Sequence, residues 1–153
     1  MKLGQVLKKE RERKKISPAD TASRLGIPED KYEEIEGGSS PVERWGPLLF
    51  QSAVKLETPT SRLLAESGKS KDCRPGQAGE LIRKHRERKQ ITAEQLAQQL
   101  GITREELEEI EAGRSGIEEY GPLLLGFAEI IEQPVFNLYL PCGIQYDQLD
   151  DYP

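Results

Sequence analysis

The sequence predicts an all-α chain made of two copies of one small unit, each of four to five short helices, joined by a flexible linker. Three observations predict it. A constant shift of 75 positions aligns the two halves without a gap, helix-capping and glycine signals recur at matching offsets, and a 35% hydrophobic, 32% charged composition suits small units with thin cores. Arg11-Glu12-Arg13-Lys14 recurs as Arg86-Glu87-Arg88-Lys89, Leu25-Gly26-Ile27 as Leu100-Gly101-Ile102, and Glu33-Glu34-Ile35-Glu36 as Glu108-Glu109-Ile110-Glu111. Gly46-Pro47-Leu48-Leu49 returns as Gly121-Pro122-Leu123-Leu124. Duplication accounts for such gapless agreement; convergence does not. The expected organisation is a first domain over 1–64, a linker over 65–77, a second domain over 78–140 and an acidic tail over 141–153.

Within each unit the helix ends can be read from side-chain chemistry. Ser17 and Thr92 stand where a hydroxyl caps a helix, with Pro18 suited to the first helical position and Gln95 able to close a capping box on Thr92. Gly26 and Gly101 follow the apolar Leu25 and Leu100, where left-handed backbone ends the second helix and turns the chain. A third helix is expected to start near Pro28 and Thr103. Ser40 with Glu43, and Ser115 with Glu118, read as further capping boxes; each glycine-proline pair is expected to restart a helix carrying Leu48, Leu49 and Ala53, or Leu123, Leu124 and Ala128. Trp45 and Tyr120 read as anchors for the preceding loop.

Between the copies, the stretch from Ala65 to Gln77 is rich in serine, glycine, lysine and proline. As a flexible coil it spans about 20 Å, which permits either docked or separated units. After the second copy, Val135, Phe136, Leu138, Tyr139 and Leu140 form a short apolar run expected to pack as a last helical turn or strand, a homodimer contact being the alternative.

Composition excludes several classes of function. No apolar run approaches the roughly 20 residues that cross a bilayer, and Lys8 to Lys15 is almost wholly charged, so a soluble, cytoplasmic protein with no membrane partner is expected. Cys73 and Cys142 are the two cysteines and His85 the one histidine, too few for a disulfide framework or an ordinary zinc site, and no metal or cofactor is expected. Without a serine-histidine-acid set or a phosphate-cradling glycine loop, an enzyme is not expected.

Taken together, Ala22, Gly26, Ile27, Tyr32 and Ile35, and again Ala97, Gly101, Ile102, Leu107 and Ile110, resemble the helix-turn-helix domains of phage repressors and Cro-like proteins, the XRE family, twice over. The resemblance covers most of residues 3–64 and 78–139 and implies two lambda-repressor-like domains. It also implies that Arg11 on the first helix pairs with Glu36 at the end of the third, and Arg86 with Glu111, as structural ion pairs.

In the family the third helix enters the major groove of DNA, while the start of the second helix and the following loop grip phosphates. Those roles map onto Ser17, Pro18, Glu29, Asp30, Lys31, Glu33 and Glu34, and onto Thr92, Thr103, Arg104, Glu105, Glu108, Arg114 and Ser115. Here the sequence departs from the family, because carboxylates occupy places usually held by hydrogen-bond donors to bases and phosphates. At about 7 Å and an effective dielectric near 20, one carboxylate and one phosphate repel by roughly 2 kcal/mol before screening. The formal charge of −5 points the same way, although residues 1–64 hold 12 Lys/Arg against 10 Asp/Glu and the acidic excess lies in the second half. Two readings follow: a DNA-binding transcriptional regulator with two reading heads in one chain, and a protein-interaction module of repressor fold whose acidic third helices meet a basic partner. The whole-motif repeat favours the first.

Overall fold

The computed structural model describes residues 1–139 and 141, so Leu140 and, beyond Pro141, the expected acidic tail lie outside the described residues. The described chain is all-α. In the first half α1 spans Leu3–Arg13, α2 Pro18–Leu25, α3 Glu29–Gly37, α4 Val42–Leu56 and α5 Thr60–Leu64. In the second half α6 spans Gln77–Arg88, α7 Ala93–Leu100, α8 Arg104–Glu111 and α9 Ile117–Ile131, with short 3-10 turns at Ser70–Asp72 and Val135–Leu138. Both α2 with α7 and α4 with α9 start and stop 75 residues apart.

Local chemistry sets these boundaries. Ser17 Oγ accepts the Asp20 N–H at 3.0 Å, and Thr92 Oγ1 accepts the Gln95 N–H at 3.1 Å while Gln95 accepts the Thr92 N–H at 2.8 Å. Gly26 and Gly101, at φ 73° and 71°, end α2 and α7 in the left-handed region and redirect the chain into α3 and α8. Thr103 and Glu106 form a further reciprocal capping box at the start of α8.

Two expected helix starts are corrected. Gly46-Pro47 and Gly121-Pro122 do not restart a helix; α4 and α9 run through them, with Pro47 and Pro122 inside. The first turn forms earlier because Val42 and Ile117 are buried at 1% and 0% exposure and Ser40 and Ser115 accept their N–H groups. Nor do Glu43 and Glu118 close capping boxes on their own helices. The Glu43 carboxylate accepts the N–H groups of Leu3 and Gly4 at 2.9 and 2.8 Å, and Glu118 accepts that of Gly79 at 2.9 Å. Each thereby caps the first helix of its half from the fourth, a partnership across about 40 residues that local spacing cannot reveal.

The segment expected as a linker is held down in its middle and at its ends. Ala65 is fully buried, the Ser70 N–H donates to Glu129 on α9 at 3.0 Å, Cys73 packs on the core, and Gln77 is already the first residue of α6. Burial, reinforced by the charges of Glu129, Asp72 and Glu118, pushes the Cys73 thiol up to about 11.

Buried residues of the two halves form one continuous cluster. Helices α4 and α9 lie against each other, and the remaining contacts across the chain are reciprocal: α2 packs on α9 as α7 packs on α4, and α5 packs on α6 as the second 3-10 turn packs on α1. That reciprocity is the pattern a twofold axis produces. The apolar run Val135–Leu138 is thus a helical turn lying on α9 and α1, and Tyr139 beyond it stacks on Phe50 of α4 with ring centroids 4.6 Å apart. Close approach of α1 to α3 depends on Gly4, where a Cβ would collide with the Ile35 carbonyl, and Gly79 stands likewise against Ile110. Replacing either glycine by alanine is expected to lower the melting temperature by several degrees, in the manner of an overpacking change of about 1–3 kcal/mol, in thermal unfolding followed by circular dichroism.

Candidate nucleic-acid interface

In each half the third helix is clamped to the first. The Arg11 guanidinium donates through Nε and Nη2 to the two Glu36 oxygens at 2.6 and 3.1 Å and through Nη1 to the Ile16 carbonyl at 2.8 Å. Arg86 makes the equivalent set, at 2.7 and 3.0 Å to Glu111 and 2.9 Å to Ile91. Hydrogen bonding to the carboxylate holds both guanidinium groups above their ordinary pKa. Both pairs lie largely out of solvent, where one partner without the other is costly. Ala22, Ile35, Ala97 and Ile110 are buried beneath this clamp, and Ile27 and Ile102 pack against the core from the turn.

The third helices present their remaining side chains to solvent. Glu29, Asp30, Glu33 and Glu34 on α3 are exposed, as are Arg104, Glu105, Glu108 and Glu109 on α8. Ser17 caps α2, whose first residue is Pro18, while Thr92 caps α7 and Thr103 caps α8, so the three hydroxyl oxygens already serve helix N-termini. The cations expected to meet phosphate are engaged locally: Arg104 with Glu94 and Glu108, the latter at 3.1 Å, and Arg114 with both oxygens of Glu109 at 3.0 Å. Ser115 Oγ accepts the Ile117 N–H. Arg104 and Arg114 are therefore neutralised where they stand, and the exposed face of both third helices is acidic.

Lys31 has a different occupation. Its ammonium pairs with Glu119 on α9 and lies 5.7 Å from the Tyr120 ring centroid, and the hydrogen bond it donates to Glu119 holds its pKa above the ordinary value. At the corresponding place in the other half, Glu106 on α8 pairs with Arg44 on α4 at 2.6 Å, and Arg44 in turn lies 4.5 Å over the Trp45 ring. Of these four residues only Lys31 was singled out from sequence, as a candidate DNA contact, and neither pairing between the halves was expected. Their trace is nevertheless present in the aligned halves, where Lys31 stands opposite Glu106 and Arg44 opposite Glu119, two positions whose signs invert together.

Residues 77–120 match a family model described as a helix-turn-helix domain. This region runs from the start of α6 into the first turn of α9, and its likeness to helix-turn-helix domains suggests a DNA-binding regulator in general. No curated protein and no solved structure matches the chain. Among the described residues no helix is long and apolar enough to cross a membrane.

Replacing Arg11 or Arg86 by alanine strands a largely buried carboxylate and removes a carbonyl partner. A loss of about 3 kcal/mol is expected from each, read as a fall in the denaturant midpoint at constant slope; an unchanged midpoint would dismiss the clamp.

Proposed function

We propose that this chain is a DNA-binding transcriptional regulator in which a tandem duplication supplies two XRE-type helix-turn-helix units, over 1–64 and 78–140, as a permanently paired set of reading heads. The observation that carries this reading is the helix-turn-helix match of the second half together with the return of its helices, its glycine turn and its arginine clamp in the first. Regulators with one such unit obtain their second by dimerising, with half-sites about 34 Å apart. In this reading the starts of α2 and α7, at Ser17, Pro18 and Thr92, approach phosphates, and α3 and α8 approach the groove. Lys8, Lys9, Lys15 and Arg88, which form no ion pair among the described residues, provide sequence-independent attraction.

One observation favours a second reading, an interaction module for a basic protein partner. Arg104 and Arg114 are already tied to Glu94, Glu108 and Glu109, leaving the third helices to present carboxylates.

Fluorescence anisotropy with a mixed-sequence duplex of about 30 base pairs separates the two. The regulator reading expects binding at about 50 mM salt that weakens steeply by about 200 mM, because each phosphate contact releases counterions. Absence of binding at the lower salt leaves the interaction module. A variant carrying Glu33→Gln, Glu34→Gln, Glu108→Gln and Glu109→Gln should bind the same duplex roughly tenfold more tightly or better, since it removes repulsion and frees Arg114.

A further inference from the structure

The contacts between the two halves fall into two kinds. Lys14 pairs with Glu132 at 3.2 Å and Lys89 pairs with Glu57, which are the same two positions seen from each side, with the same signs. A Cβ on Gly46 would lie 3.2 Å from Leu124, and one on Gly121 3.4 Å from Leu49, again the same positions exchanged. Such contacts would form equally well between two first halves or two second halves. They make the interface but choose no partner.

The other kind chooses. Lys31 meets Glu119, and Glu106 meets Arg44, so equivalent positions carry opposite signs in the two halves. Between two first halves the same geometry would set Lys31 against Arg44 twice; between two second halves it would set Glu106 against Glu119 twice. Shape repeats the lesson independently of charge. The Trp45 indole lies so close over Gly116 that a Cβ there would collide with the ring, and the residue corresponding to Gly116 in the first half is Pro41. A first half facing a copy of itself would bring Trp45 onto a proline ring.

We infer that this surface is a mating interface with built-in partner choice: the first half fits the second half and rejects a copy of itself, as the second half does. Exposed ion pairs of this sort add little to affinity, but specificity is a difference, and turning two attractions into two repulsions doubles what each pair contributes to it. The partner this surface accepts has an acidic residue opposite Lys31, another opposite Arg44 and a glycine beneath Trp45. The inference holds whether or not the third helices meet DNA.

Charge reversal in the full chain tests it. A variant with Lys31→Glu and Arg44→Glu, and another with Glu106→Lys and Glu119→Arg, should each melt about 5 °C lower than the parent at low salt, with the deficit shrinking near 1 M salt where such charges are screened. Combining all four substitutions restores opposite signs in mirror image and should recover the parental melting temperature. Separately, Gly116→Pro should lower the melting temperature and Trp45→Tyr, which imports the smaller ring of Tyr120, should recover part of it. Two-residue reversals that melt like the parent, or a four-residue variant that stays as unstable as either, would overturn the inference; so would a Gly116→Pro deficit that Trp45→Tyr leaves untouched.

Discussion

The seam between α4 and α9 is the constraint on which the rest of the molecule depends. These are the two longest helices among the described residues, and they approach where each carries a glycine: a Cβ on Gly46 would collide with Leu3 and press on Leu124, and one on Gly121 would collide with Leu64 and touch Leu49. Laying the fourth helices together removes an apolar face of each half from water at once. Leu49, Phe50, Leu124 and Phe127, all at most 1% exposed, belong to a single cluster for this reason.

From that seam the constraint passes outward through polar partnerships. Glu43 and Glu118, on the helices of the seam, cap α1 and α6; Arg11 and Arg86, on α1 and α6, hold the ends of α3 and α8. The third helix of each half is therefore positioned by a chain of charge-assisted hydrogen bonds that starts at the interface. Position and orientation of the two third helices are thus properties of the pair and not of each half separately. The buried Arg–Glu forks at the end of this chain are where single substitutions are most consequential, because each leaves the opposite charge without solvent or partner.

Much of this was legible in the sequence, and what was not has a common cause. Features set by neighbours in the chain were readable: the Ser17 and Thr92 caps, the left-handed Gly26 and Gly101, and the all-α class. The Glu43 and Glu118 capping boxes were misread because a carboxylate three residues after a serine has the right spacing for a box, yet a helix N-terminus from elsewhere in the fold offered it free N–H groups. The glycine-proline pairs were misread as helix starts because proline lacks a donor, whereas the burial of Val42 and Ile117 pinned an earlier turn. The pairs that Lys31 and Arg44 make between the halves could not be predicted from either half alone; only knowledge that the halves face each other gives the sign inversion its meaning.

A paired architecture also bears on the charge problem of the third helices. If the halves moved independently, either could approach a polyanion while its partner stayed away; a fixed pair presents both acidic faces together, so repulsion from Glu33, Glu34, Glu108 and Glu109 is felt at the same encounter. The paired state also occupies Lys31 and Arg44 at the interface, removing two cations that would otherwise offset those carboxylates. Attraction must then come from α1 and α6 and from the helix-two starts, whose N–H dipoles favour anions irrespective of side-chain charge. The two third helices, Glu29–Gly37 and Arg104–Glu111, also differ in sequence, most plainly at Glu29 against Arg104 and Lys31 against Glu106. Any duplex such a pair engages would be met by two unlike surfaces held in one fixed order, so the recognised site would be directional where that of a symmetric dimer is palindromic.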